Sequence, residues 1–541
     1  MKGIYFTVSV SVLALAAALY GSHAQPAPQG DAAACAALAG KTIAPDTLIE
    51  SAQWLPNGGT VGGTNVQTAF CRVAAVATPT RDSHIGFEVW LPPASAWNGN
   101  FRGEGSGGSA GSLSPGPMRE ALLAGYATMS TDNGHLTDPA DPLGGSGQRW
   151  AYKQPEKMID WAWRALHLST VGAKQVVSAF YGKPSGKNYF VACSAGGHHA
   201  LMEATRFPAD YDGYVAGAAP WKWTALMFGH TWNANPILRD NSAVTAQSAA
   251  ILNRRMIAAC DELDGVKDGV ISEPRRCAVD PVEFQCRQGQ SADCLTPVQV
   301  AAARHLYQGA TRSDGVRLQA GHVRGGEDGW PGYNGGTTPG GSSFEFWKLT
   351  AFQDPGFRNV DFDFDKDSAR ALKVKVGTST LGATYDTTPN LDAFRRRGGK
   401  FIFFHGWSDP VISPLVDIDY TDRITARYGQ ARTDEFFRFF LLPGMGHCSG
   451  GPGFSRIGGA TGAPIRNDAD HDMVKALERW VTKNEAPSLF IGARVQAGRT
   501  IATRPICRYP LEARYVGHGS TNEAANFVCR APEGKFPPQP M

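Results

Sequence analysis

Residues 188–197 read NYFVACSAGG. The first six are a short apolar run, the signature of a strand buried on both faces of a parallel sheet. Ser194-Ala195-Gly196-Gly197 then breaks the run, and HHALMEATRFPADY (198–211) has the composition of a helix. A strand that passes into a helix through small residues holds one side chain on a sharp, exposed turn. A nucleophile needs such a turn, because small neighbours avoid clashes in its strained backbone. The usual pattern is Gly-x-Ser-x-Gly. Here Gly196 supplies the second glycine and Ala192 replaces the first. Taken alone, the segment is equally a Gly-rich turn with an incidental serine, so the surroundings must decide.

Outward from this turn, the chain meets the further demands of a nucleophilic serine in the expected order: an acid, then a histidine, each in a loop after a strand. KFIFFH (400–405) reads as a strand, and Asp409 follows it in His405-Gly406-Trp407-Ser408-Asp409-Pro410. FFRFFLL (436–442) reads as another, and His447 follows in Pro443-Gly444-Met445-Gly446-His447-Cys448. Loops at the carboxyl ends of strands are where open α/β sheets place their sites. In this assignment His447 takes the proton of Ser194, and Asp409 orients and supports the imidazole. His198, His199 and His405 compete for the role of base and read as structural histidines.

The rest of the chain agrees. HIGFEVWL (84–91) alternates as a strand, and 156–180 repeats apolar positions at helical spacing up to Tyr181-Gly182-Lys183-Pro184. Residues 214–219 read as a strand and 470–484 as a helix, whereas RGEGSGGSAG (102–111) reads as a loop. Strands alternating with helices predict an α/β class, the α/β-hydrolase fold, with a mostly parallel sheet flanked by helices. Residues 220–389 break the pattern. They are rich in Gly, Trp, Asn and Asp, hold four cysteines and show few strands. They are expected to form a large inserted lid domain, leaving 25–219 and 390–541 as the catalytic domain.

The N-terminus has Lys2, an apolar stretch from Ile4 to Tyr20 and then Ser22-His23-Ala24. That is the pattern of a signal peptide over residues 1–24, cleaved near Ala24. It predicts a secreted or periplasmic protein with no membrane partner after cleavage. Lys+Arg number 52 against 49 Asp+Glu, a net charge of +3, so nothing electrostatic suggests nucleic acid. The ten cysteines suit an oxidising compartment. Counting alone permits about 945 pairings. Local spacing favours Cys35–Cys71, Cys260–Cys277, Cys286–Cys294 and Cys507–Cys529, which leaves Cys193 to Cys448. That last bridge would hold the Cα atoms of Ser194 and His447 within about 13 Å of each other in any fold.

Cys193-Ser194, Asp409 and His447-Cys448 together resemble the tannase and feruloyl esterase family, in which the two cysteines are bridged. WNGNF (97–101), the Gly-rich loop after it, CDELDGVKDGVI (260–271) and HGWSDPVISP (405–414) extend the resemblance over most of the chain. It implies a carboxylic ester hydrolase acting on esters of aromatic acids, feruloyl and other hydroxycinnamoyl esters foremost. Tannase activity on galloyl esters, or hydrolysis of terephthalate monoesters, is the alternative. A non-catalytic exported binding protein on the same scaffold is the remaining one. The resemblance also implies an oxyanion hole from Ala195 and either Gly107 or Gly108. It further implies a structural Ca2+ held by Asp261, Asp264 and Asp268 with the carbonyls of Val266 and Val270, and no organic cofactor. Ile412 is expected to line the substrate pocket. Trp221, Trp223, Trp232, Trp330 and Trp347 are candidates to stack on an aromatic ring, and Arg324 to meet a carboxylate. The oligomeric state is not legible.

Overall fold

The structure, a computed structural model, describes residues 1, 30–141, 143, 145, 147–240, 244–333, 345–459, 461–534 and 536. The expected signal peptide, apart from Met1, lies outside the described residues.

Ten strands build one sheet. They are β1 (Thr42–Ala44), β2 (Thr47–Leu55), β3 (Phe70–Ala77), β4 (Ile85–Leu91), β5 (Phe101–Glu104), β6 (Ala127–Thr131), β7 (Asn188–Cys193), β8 (Gly213–Gly217), β9 (Lys400–Gly406) and β10 (Phe437–Leu442). Their spatial order is β1-β2-β3-β4-β6-β5-β7-β8-β9-β10. From β6 to β10 every pairing is parallel. From β1 to β6 every pairing is antiparallel. The sheet is therefore mixed, and its parallel part carries the site. Short connections join β1 to β4 and allow them to meander; longer segments, several of them helical, separate the parallel strands.

One departure concerns the Gly-rich segment. Residues 101–104 are a buried central strand rather than the start of a loop. Gly103 permits this, because a Cβ there would lie 2.5 Å from the Tyr211 hydroxyl and 2.9 Å from the Phe190 ring. A composition that looks flexible in sequence is here a requirement for close packing.

Alternation along the strands feeds two faces. Phe401, Phe403, Phe437 and Phe439 join one core cluster with Phe190 and Tyr214. Ile402, Phe404, Phe440 and Leu442 join another with Val191 and Val215. Helices α1 (Ala165–Tyr181) and α6 (Pro414–Tyr428) cover the first face, and α7 (Met473–Lys483) the second. The helix expected over 156–180 is interrupted by a π-helical turn at Asp160–Arg164. Both Asp160 and Trp161 are buried there, and Trp161 Nε1 donates to the Ser109 carbonyl at 2.7 Å.

Between β8 and β9 the chain forms the insertion. It contains α3 (Trp223–Asp240), α4 (Ala246–Cys260) and α5 (Pro297–Gln308), and α2 (Ala195–Arg206) precedes it. Leu252, Met256, Ile271, Leu306 and Trp330 give the insertion a core of its own. A second cluster unites its Trp223, Leu226, Phe346 and Trp347 with Trp161, Ala195 and Ile412 of the sheet domain. The insertion therefore sits on the end of the sheet where β7 and β9 stop.

The disulfides are Cys35–Cys71, Cys193–Cys448, Cys260–Cys277, Cys286–Cys294 and Cys507–Cys529. Cys193–Cys448 spans 255 residues and fixes the end of β7 to the loop after β10, with its Cα atoms 5.9 Å apart.

Candidate active site

Ser194 stands between β7 and α2 with φ 61° and ψ −127°, a strained conformation for a residue with a side chain. Its amide donates to the Gly217 carbonyl at 2.9 Å, and its own carbonyl accepts from the His198 amide at 3.0 Å. The turn is thus pinned to β8 on one side and to the helix on the other. The replacement of the first motif glycine by Ala192 has a local explanation. A Cβ on Gly105 would fall 2.6 Å from the Ala192 methyl, and one on Gly196 would fall 2.9 Å from it. Two neighbouring glycines make room for that methyl group.

His447 Nε2 lies 3.0 Å from Ser194 Oγ, and His447 Nδ1 lies 2.7 Å from Asp409 Oδ2. With Nδ1–H donated to Asp409, Nε2 is left to accept from the hydroxyl. Asp409 Oδ1 accepts the amides of Val411 at 2.8 Å and Ile412 at 3.0 Å. Burial opposes the Asp409 charge. The imidazole of His447 and donation from His405 outweigh it and hold the carboxyl far below the ordinary carboxylate range.

The hydrogen-bonded chain does not end at Asp409. His405 Nε2 is 3.1 Å from Asp409 Oδ2 and 3.0 Å from the Ile412 carbonyl. His405 Nδ1 is 2.7 Å from Asp417 Oδ2, which also accepts the Ala219 amide at 3.1 Å. Burial disfavours a charge on His405. The Asp417 and Asp409 carboxylates outweigh it and push the imidazole up to about 10. Burial pulls Asp417 upward against the influence of His405. Sequence reasoning missed both residues as parts of the site. His405 ends a strand and Asp417 lies in the first turn of a helix, and only the turn between them brings them together. By contrast, His198 and His199 are buried as expected, with His198 Nδ1 bonded to the Pro220 carbonyl at 2.8 Å. Burial pushes them down to about 4 and about 3.

A cleft of about 580 Å³ opens above Ser194, lined by Gly105, Ser106, Gly107, Gly108 and His447 among others. Asn133 Nδ2 donates to Ser106 Oγ at 2.8 Å and steadies this loop. The amides of Gly107 and Gly108 form no hydrogen bond among the described residues. Ala195 N–H, in the first turn of α2, has no acceptor within the helix. Gly107 and Gly108 border the cleft that Ser194 also lines, and free amides are the donors a developing oxyanion requires.

Ile412 is buried and packs in the shared cluster, with its amide on Asp409. Trp221, Trp223, Trp330 and Trp347 are buried core residues, and Trp232 stacks on His305. None of the five borders the cleft above Ser194. Arg324 is buried in the insertion, its Nε donating to the Val279 carbonyl at 3.0 Å and its guanidinium over the Tyr307 ring.

The acidic loop curls around Asp261, whose carboxylate accepts the amides of Asp268 at 3.2 Å, Gly269 at 2.8 Å and Val270 at 3.2 Å. Burial raises Asp264, and it raises Asp268 to about 6 although Arg504 is paired with it. Asp261 is buried on this loop and Asp264 and Asp268 are half-buried, and all three offer oxygen, the donor a hard cation takes.

The sheet topology, the strained Ser194 and the hydrogen-bonded chain behind it define an α/β-hydrolase with a serine–histidine–aspartate constellation. The family model described as "Tannase and feruloyl esterase" matches residues 71–530. The chain belongs to that family, and it is a carboxylic ester hydrolase. It is 34% identical to an uncharacterized esterase of Xanthomonas campestris, over 93% of this chain and 92% of that one. It is 32% identical to the mono(2-hydroxyethyl) terephthalate hydrolase of Piscinibacter sakaiensis, over 93% of both chains. The crystal structure of feruloyl esterase B from Aspergillus oryzae superposes with a TM-score of 0.84 at 27% identity, covering 92% of this chain and all of that one.

Proposed function

We propose that this protein is an exported serine esterase that cleaves esters of aromatic acids, hydroxycinnamoyl esters foremost, through an acyl-enzyme. The observation that carries this is the unbroken contact from Asp409 to His447 at 2.7 Å and from His447 to Ser194 at 3.0 Å. Ser194 Oγ attacks the ester carbonyl carbon while its proton passes to His447 Nε2. Ala195 N–H and an amide of Gly107 or Gly108 receive the oxyanion. The tetrahedral adduct collapses, the carbon–oxygen bond to the alcohol breaks, and the alcohol departs with the proton from His447. Water then repeats the sequence on the acyl-enzyme and releases the acid. Five disulfides support an oxidising, exported location.

Relatives named for feruloyl esters support hydroxycinnamates, and the terephthalate hydrolase supports a second reading, a terephthalate monoesterase. The test is kcat/KM for methyl ferulate, methyl gallate and mono(2-hydroxyethyl) terephthalate. Ferulate is expected to lead. A lead for either other ester moves the substrate assignment, and no turnover of any of them favours the binding-protein alternative.

We propose further that Asp261, Asp264 and Asp268, with the carbonyls of Val266 and Val270, hold a structural Ca2+. The ion would neutralise carboxylates that share one loop. It would lie in the insertion, in a loop tied by Cys260–Cys277, and take no part in ester cleavage.

A further inference from the structure

We infer that His405 and Asp417 are positioning residues for hydrolysis, a buried imidazolium–carboxylate pair that fixes Asp409 and tempers the negative charge it presents to His447. The inference rests on the Ser194–His447–Asp409 assignment above and concerns what stands behind it.

Both ring nitrogens of His405 face acceptors. Nδ1 meets a carboxylate oxygen of Asp417, and Nε2 meets a carboxylate oxygen of Asp409 and the carbonyl of Ile412. An imidazole has two nitrogens and, when neutral, one proton. With both carboxyls ionised, acceptors at both ends are satisfied only by the doubly protonated cation. The side chains of His405, Asp409 and Asp417 have no exposed surface, so water does not supply a missing donor. Asp417 Oδ2 already accepts the Ala219 amide, which suits a carboxylate at that end.

This cation completes the shell of Asp409. Oδ1 takes two amides, and Oδ2 takes one imidazole from each side. The carboxylate then has no free rotation and one fixed direction toward His447 Nδ1. The other titratable neighbours are His230, whose Nε2 is 3.2 Å from the Val411 carbonyl, and the buried His322. Burial pushes both down to about 4, so they are neutral at working pH. His405 is therefore the positive charge among the described residues that faces Asp409 from behind. Asp417 in α6 faces it in turn, with the amide of Ala219 beyond β8.

The test uses Asp417→Asn, which keeps shape and removes charge. Its amide can donate to His405 Nδ1, leaving a neutral imidazole that still donates from Nε2 to Asp409. The contact to His405 survives, the Ala219 amide loses its acceptor, and the cation does not persist. Expected are a kcat about tenfold lower with KM within about twofold, and an acid limb of the kcat/KM profile about half a pH unit higher, at an unchanged fold. His405→Gln should move the same limb in the same direction. Histidine-selective 15N NMR of the wild type should show one imidazolium that persists at pH 8 and vanishes in both variants. A wild-type spectrum with every histidine neutral at pH 8 overturns the proposal whether or not the variants fold. So does an Asp417→Asn enzyme with unchanged kcat and acid limb. Loss of the underlying site assignment would read differently: Ser194→Ala would retain activity while the imidazolium signal stayed in place.

Discussion

The fold treats two of this molecule's groups of carboxylates in opposite ways. At the end of the sheet, Asp409 and Asp417 flank His405 and receive the amides of Val411, Ile412 and Ala219. Every charge has a partner, and Asp409 stays ionised although fully buried. In the insertion, Asp261, Asp264 and Asp268 share one loop with Arg504 as the cation paired to Asp268. There burial dominates, and Asp268 is pushed up to about 6. A buried acid keeps its charge when the fold supplies the counter-charge. The sheet domain supplies its own, whereas in the loop the proposed Ca2+ would supply what Arg504 does not.

Ser194→Ala gives the largest effect, because it removes the bond-forming atom. A fall in kcat of about 10⁶-fold is expected for ferulate, gallate and p-nitrophenyl esters alike. Activity near wild type would end the assignment. Asp409→Asn breaks the balanced group directly and should cost about 10⁴-fold in kcat, since a neutral partner selects the wrong imidazole tautomer.

Replacing both Cys193 and Cys448 by Ala probes the clamp that brings the two halves of the site together. A stability loss of about 2–4 kcal/mol in denaturant titrations is expected, with a lower kcat. An unchanged midpoint would show that packing alone holds the loops.

The unbalanced loop is broken by a chelator. Calcium at a hundredfold excess over Kd should contribute about 2.7 kcal/mol, visible as a higher Tm than in chelator. The sign of its pH dependence follows from Asp268. Its carboxyl titrates near 6 when folded and lower when unfolded, so the metal-free native state binds the extra proton. Metal-free stability should therefore fall as pH rises from about 4 to 6, while the gain from calcium grows across the same window. A calcium effect independent of pH, or no metal by elemental analysis, counts against the loop as a site. Asp268→Asn in chelator at pH 7 strips the buried Arg504 of its carboxylate partner, so Tm should fall even without the metal. The same substitution should abolish the calcium response.

Much of this was legible along the chain. NYFVACSAGG, KFIFFH and FFRFFLL carry the period and apolarity of parallel strands, and the loop after each holds one member of the constellation. Cysteine spacing suggested the bridge that joins two of those loops. Such signals survive in sequence because each depends on neighbours a few residues apart. The misread segment was 102–104, whose glycine marks close packing in the middle of the sheet rather than freedom.

Sequence by itself determined the class of fold and the order serine–aspartate–histidine, since periodicity and residue chemistry are local properties. Tertiary structure alone decided that His405 is a cation rather than one more core histidine. Protonation in a dry interior depends on which acceptors surround the ring, and those come from the loop after β9 and from α6, whose meeting no local pattern encodes.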